Sequence, residues 1–146
     1  MRNTILLLLA SLLVTLAACK QFSAPGKIEV IQSYLPGVWV VEYIGDRPVV
    51  DRSPARIHFA EDGTLNGNAS CNRFFGKYSY TEETLIIEPL GTTKMACVPA
   101  LMEQEARFLA AFPAAAHATL ENEILILRDA AGQQIIRAVR DESEIQ

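Results

Sequence analysis

The chain has 146 residues, half of them hydrophobic, with 13 basic and 17 acidic side chains and a formal charge of −4. That length suits one domain built around one core. No basic cluster longer than two residues occurs, so nucleic acid is not an expected partner, and an acidic chain gains nothing from anionic lipid headgroups.

The chain begins MRNTILLLLASLLVTLAACKQ. Arg2 precedes an apolar run from Ile5 to about Leu16, some dozen residues where a bilayer span needs roughly 20. A basic start, a short apolar stretch and small residues at its end describe a secretory signal, with an uncut anchor as the alternative. Leu16-Ala17-Ala18-Cys19 also resembles the bacterial lipobox at all four positions. That resemblance implies cleavage after residue 18 and acylation of Cys19, so the partner expected at this end is a membrane, reached through lipid. Several acyl chains on one residue exceed what stable anchoring requires. Lys20, where an acidic residue would signal retention, points to the outer membrane and a periplasmic orientation. Removing the signal costs only Arg2 among the charges, so acid still exceeds base.

Residues 19–34 read as a lipidated tether, with a first short strand near Ile28–Ile31. From residue 35 to 140 the pattern becomes short segments of alternating polarity separated by turn residues. Val38 to Ile44 is rich in β-branched and aromatic residues and ends at Gly45-Asp46. Arg56-Ile57-His58-Phe59 alternates, Asp62-Gly63 supplies a hairpin turn, and Thr64 to Asn68 returns. Gly76–Tyr80 and Thr84–Glu88 form another hairpin pattern, joined at Thr81-Glu82-Glu83. Ala118–Leu120, Ile124–Leu127 and Gln134–Ala138 follow at hairpin spacing, and residues 141–146 are a polar tail. Seven or eight such strands predict a mainly β, small antiparallel barrel-like domain.

One segment breaks the rhythm. Pro99 suits a first helical turn, and Leu101, Met102, Glu105, Phe108, Leu109 and Phe112 recur at helical spacing up to Pro113. This predicts one packed α-helix, with Glu103 and Arg107 paired four apart on its opposite side.

With Cys19 assigned to lipid, Cys71 and Cys97 remain. In an oxidising compartment two such cysteines suggest a disulfide, the alternative being two buried free thiols. Zinc would need four ligands, and only these cysteines and the lone His58 and His117 are on offer, so neither metal nor other cofactor is expected. Ser70, Thr93, Lys94 and His58 fall into no recognised catalytic spacing, and no G-x-S-x-G, H-E-x-x-H or phosphate-binding glycine loop occurs. No enzyme activity is expected.

Gly37-Val38-Trp39, Phe59, Asp62-Gly63, Gly67 and Ser70-Cys71-Asn72-Arg73-Phe74-Phe75-Gly76 together resemble the META domain of HslJ-type heat-inducible bacterial proteins. Thr92-Thr93-Lys94-Met95-Ala96-Cys97 matches that family's second motif, with Lys94 where arginine is common. The resemblance implies a barrel-like fold with a packed helix and a role in envelope stress or drug tolerance, without an established catalytic mechanism. It carries over Cys71, Asn72, Arg73, Gly76, Thr93, Lys94, Met95 and Cys97 as motif positions only. Read physically, Asn72 and Gly76 suit tight bends, and the two motifs form a stapled corner of the barrel. Phe74 and Phe75 can both be buried only if the stretch is a kinked loop rather than a strand. The expected role is a monomeric, lipid-anchored domain that binds an envelope protein partner. The alternatives are a carrier of a hydrophobic small molecule or a periplasmic inhibitor of an envelope enzyme.

Overall fold

A computed structural model describes residues 27–81 and 84–144. The signal segment, Cys19 and the link to Lys27 lie outside the described residues, as do Glu82 and Glu83 at one hairpin turn.

The first described element is a helix, α1 (Lys27–Tyr34), and not the short strand expected near Ile28–Ile31. The β-branched residues there favour a strand locally, but Ile31 and Leu35 stand one helical turn apart and both are buried. The Leu35 N–H continues the helical pattern by donating to the Ile31 carbonyl at 2.8 Å. Tertiary burial outweighs the local preference.

Ten strands follow: β1 (Gly37–Ile44), β2 (Arg47–Pro48), β3 (Arg56–Phe59), β4 (Thr64–Asn68), β5 (Arg73–Thr81), β6 (Thr84–Ile87), β7 (Gly91–Thr92), β8 (His117–Glu121), β9 (Ile124–Arg128) and β10 (Gln134–Arg140). Eight of them run in the order β6-β5-β4-β3-β1-β10-β9-β8, all antiparallel, while the two-residue β2 and β7 attach to β1 and β5. The Leu85 N–H of β6 donates to the Ala116 carbonyl just before β8 at 2.8 Å, which brings the two ends of the sheet together into a nearly closed barrel. The hairpin patterns therefore hold, and the expected barrel is present.

Alternation places the core. Ile57 and Phe59 of β3, Leu65 of β4 and Phe74 of β5 face inward, while Phe75 faces out at 56 % exposure. The Phe-Phe pair is thus split by a regular strand. On β1 the inward set shifts from Trp39 and Val41 to Ile44, because the pairing with β10 slips between Val41 and Tyr43. Gly63 accepts the positive φ of its turn, 82°, between β3 and β4. Beside it, the Thr64 N–H and hydroxyl hold the Asp62 carboxyl below its ordinary pKa.

The helix α2 (Pro99–Ala111) begins at the expected proline and passes into a single 3-10 turn, Phe112–Ala114, at Pro113. Phe108 and Phe112 enter the core, with ring centroids 5.3 and 5.5 Å from Phe74 respectively and 4.9 Å from each other. Burying each such ring contributes roughly 1.5–3 kcal/mol. Two expectations for this helix are corrected. Met102 is exposed, and the buried polar position is Gln104, fully shielded, because distant loops satisfy its amide. Glu103 pairs with Arg47 at 3.2 Å rather than with Arg107.

At the far end, Arg140 fastens α1. It donates to the Pro36 carbonyl at 3.0 Å and to the Tyr34 carbonyl, and its guanidinium lies 4.3 Å from the Trp39 ring centroid.

Candidate functional site

The segment between β4 and β5 reverses direction in four residues, Ala69 to Asn72, all of them buried. The Ala69 N–H donates to the Asn72 carbonyl at 2.8 Å. Asn68 Oδ1 accepts the Ser70 N–H at 2.8 Å. Ser70 takes a φ of 134°, a region that non-glycine residues rarely occupy and that surrounding contacts must enforce. One such contact is direct: the Gln104 side-chain amide donates to Ser70 Oγ at 3.1 Å.

Asn72 then ties three segments together. Its Oδ1 accepts from the Met95 N–H at 2.7 Å and from the Thr93 hydroxyl at 2.8 Å. Its Nδ2 donates to the Met95 carbonyl at 3.2 Å and to Glu105 Oε1 at 2.9 Å. Glu105 Oε2 accepts the backbone N–H groups of both Cys71, at 3.1 Å, and Asn72. The Asn72 amide thus has every donor and acceptor engaged, which a buried amide requires. The Thr93 hydroxyl also accepts the Arg73 N–H at 3.1 Å, and the Thr93 N–H returns to the Arg73 carbonyl at 3.0 Å.

The sulfur atoms close the same corner. Cys71 and Cys97 form a disulfide with Cα atoms 5.9 Å apart, spanning 26 residues, so the two motifs are joined covalently as well as by hydrogen bonds. A second buried hub lies beside it. Gln104 Oε1 accepts the Val50 N–H at 2.6 Å, and its Nε2 reaches Ser53 Oγ at 2.5 Å.

The motif positions divide by direction. Cys71 and Asn72 are buried, while Arg73, Lys94 and the Met95 side chain face solvent. Arg73 has no carboxylate within ion-pair distance among the described residues, and its backbone joins the second motif. Gly76 lies against Leu90, where a Cβ would stand 2.9 Å from a leucine methyl. Met95, Val98 and Met102, close to Cys97 in sequence, are exposed apolar residues. Among the described residues no three histidine, cysteine, aspartate or glutamate side chains gather as metal ligands, and no helix is long and apolar enough to cross a membrane.

Sequence reasoning missed two contributors, Gln104 and the depth of Glu105's involvement. The only sequence signal was a pair of polar residues on the inward face of an amphipathic helix.

Residues 32–142 match the model of the META domain. The chain belongs to the META domain family. The match takes in both motifs, the helix α2 and the closing strands. Among solved structures, an NMR structure of a protein from Burkholderia xenovorans is similar at 21 % identity and TM-score 0.65, covering 82 % of this chain and 92 % of that one. A second NMR structure shares 26 % identity at TM-score 0.58, covering 79 % and 96 %. A crystal structure of a DUF4847 family protein from Bacteroides vulgatus shares 17 % identity at TM-score 0.56, covering 77 % and 98 %. At 21 % and 17 % identity, the first and third show a common fold and nothing more. Comparison with curated proteins gave no match. Within this META domain, the two motifs form the corner that locks the barrel to its helix.

Proposed function

We propose that this META-domain protein is exported, anchored in the outer membrane through lipid on Cys19, and works in envelope stress or drug tolerance by binding an envelope partner. The observation that carries the reading is the coexistence of Leu16-Ala17-Ala18-Cys19 with an oxidised Cys71–Cys97 bridge. The first resembles a lipidation signal and the second suits an oxidising compartment. Binding, rather than catalysis, is favoured because the motif's polar groups are turned onto one another. Asn72, Thr93 and Glu105 hold backbone and each other, an arrangement that builds shape and offers no nucleophile beside a base.

A carrier of hydrophobic molecules needs an empty interior. Phe59, Phe74, Phe108 and Phe112 fill the centre of this one, which favours partner binding over carriage. An inhibitor of an envelope enzyme remains one form of partner binding.

The test is metabolic labelling with an alkyne fatty acid in a bacterial host. The wild-type chain takes up label and fractionates with membranes, whereas Cys19→Ser loses both. An unlabelled, freely soluble wild-type protein overturns the anchoring. Crosslinking in intact envelopes then identifies the partner, and a deletion strain that grows normally under heat, detergent and hydrophobic antibiotics removes the stress role.

A further inference from the structure

The outward face of β3, β4 and β5 has a composition unlike the rest of this acidic chain. Pairing across these strands sets residues in two rows: Phe75 opposite Asn66 opposite His58, and Arg73 opposite Asn68 opposite Arg56. Together with Pro54 and Thr93 they line an open groove of about 750 Å³ whose lining contains no aspartate or glutamate. Acids stand at its edges: Asp141, 3.2 Å from Arg56, and Glu61 and Asp62, which line the adjoining hollow that shares His58. Arg73 is exposed and has no carboxylate at ion-pair distance among the described residues. Asn68 engages its carbonyl oxygen with the Ser70 N–H, which leaves its amide N–H groups as donors toward the groove.

Phe75 is the unusual member, an aromatic side chain 56 % exposed in the middle of a strand. Its position is fixed. β7 pairs with β5 so that Gly91 lies directly opposite Phe75, and a Cβ at Gly91 would stand 2.6 Å from the ring's Cζ. The ring therefore lies over bare backbone on one side and presents its other side to solvent. From Phe75 to His58 is two strand spacings, roughly 10 Å.

We propose that this face binds an acidic oligosaccharide. A sugar ring has an apolar C–H face that covers an exposed aromatic ring, hydroxyl groups that pair with asparagine amides, and, in an acidic sugar, a carboxylate that fits a guanidinium fork. The groove supplies all three within two rows, and its positive charge complements the carboxylates. The proposal rests on the reading of an exported domain that binds an envelope component. That reading is tested separately by the lipid label on Cys19, so either can fail alone.

The experiment is calorimetric titration of the full chain, purified in detergent, with tetragalacturonate, neutral maltotetraose and octathymidylate. The expected result is saturable binding of tetragalacturonate and at least tenfold weaker binding of maltotetraose. Phe75→Ala and Arg73→Gln should each weaken binding about tenfold, the loss expected when a charge-assisted pair or a stacked ring is removed. Both side chains are exposed, so the melting temperature should hold, and Arg128→Gln, on β9, should leave binding unchanged. Absence of binding by tetragalacturonate overturns the proposal, as do wild-type affinities in both groove variants. Equal affinity for maltotetraose overturns the acidic part, and tighter binding of octathymidylate assigns the face to a nucleic acid instead.

Discussion

The carboxylate of Glu105 and the side-chain amide of Asn72 meet at 2.9 Å across 33 residues of sequence, and the same carboxylate holds the Asn72 backbone N–H. One residue of the helix thus fixes the turn that launches β5, and through Asn72 it also fixes Met95 and Thr93. Glu105→Gln replaces one acceptor oxygen with an N–H2 group. Asn72 cannot flip to accommodate it, because its Oδ1 already receives the Met95 N–H and the Thr93 hydroxyl. The variant should lose about 1–3 kcal/mol of stability in urea unfolding, the cost of a buried donor without an acceptor.

The disulfide acts on the same corner through the unfolded chain. Closing a loop of 26 residues should stabilise the fold by roughly 3–4 kcal/mol in the chain-entropy description. Urea unfolding with and without reductant measures this directly. The midpoint should fall on reduction, and the Cys71→Ala, Cys97→Ala double variant should match the reduced protein and be insensitive to reductant.

Tyr78 links stability to alkaline pH. Its hydroxyl donates to the Ala60 carbonyl at 2.7 Å, and burial, then the nearby Asp62 and Glu61 charges, raise its pKa above the ordinary 10.0. The folded state therefore keeps a proton that the unfolded chain gives up. The stabilisation is fully present below pH 10.0 and is lost as pH rises from there through the raised value. The melting temperature of the wild-type protein should fall more steeply above pH 10 than that of Tyr78→Phe, and the two slopes should agree at neutral pH.

Arg107 offers a gain. Its Nε and Nη1 atoms are shielded from solvent and have no hydrogen-bond partner among the described residues. Replacing a buried polar group that lacks partners with an apolar side chain of similar length removes a desolvation cost. Arg107→Met should raise stability by about 1 kcal/mol, read as a higher urea midpoint with an unchanged slope.

The barrel was legible in the chain because its hairpins are local. Asp62-Gly63 and the alternation of Arg56 to Phe59 need no distant information, and the same holds for the pair of strands after Ala118. The helix α1 was not legible, because Ile28, Val30 and Ile31 favour a strand until Leu35 and the barrel end give Ile31 a buried face. Gln104 escaped for a related reason. A hydrophobic stripe places Met102 inward, but Val50, Ser53 and Ser70 together satisfy a glutamine there, and all three are more than 30 residues away. β2 and β7 are two residues long, too short for any period to show. The cysteine count and an oxidising compartment suggested the Cys71–Cys97 bridge without revealing that Asn72 and Glu105 are the polar pair at the centre of the corner.

The most direct measurement is a double-mutant cycle on that pair, with Asn72→Ala, Glu105→Ala and the double variant compared by urea unfolding under oxidising conditions. If the motifs form one coupled clamp, the two losses should fall short of additivity by about 1 kcal/mol or more. Losses that sum within about 0.5 kcal/mol would mean the two residues act independently, and the motif would not be the lock between barrel and helix.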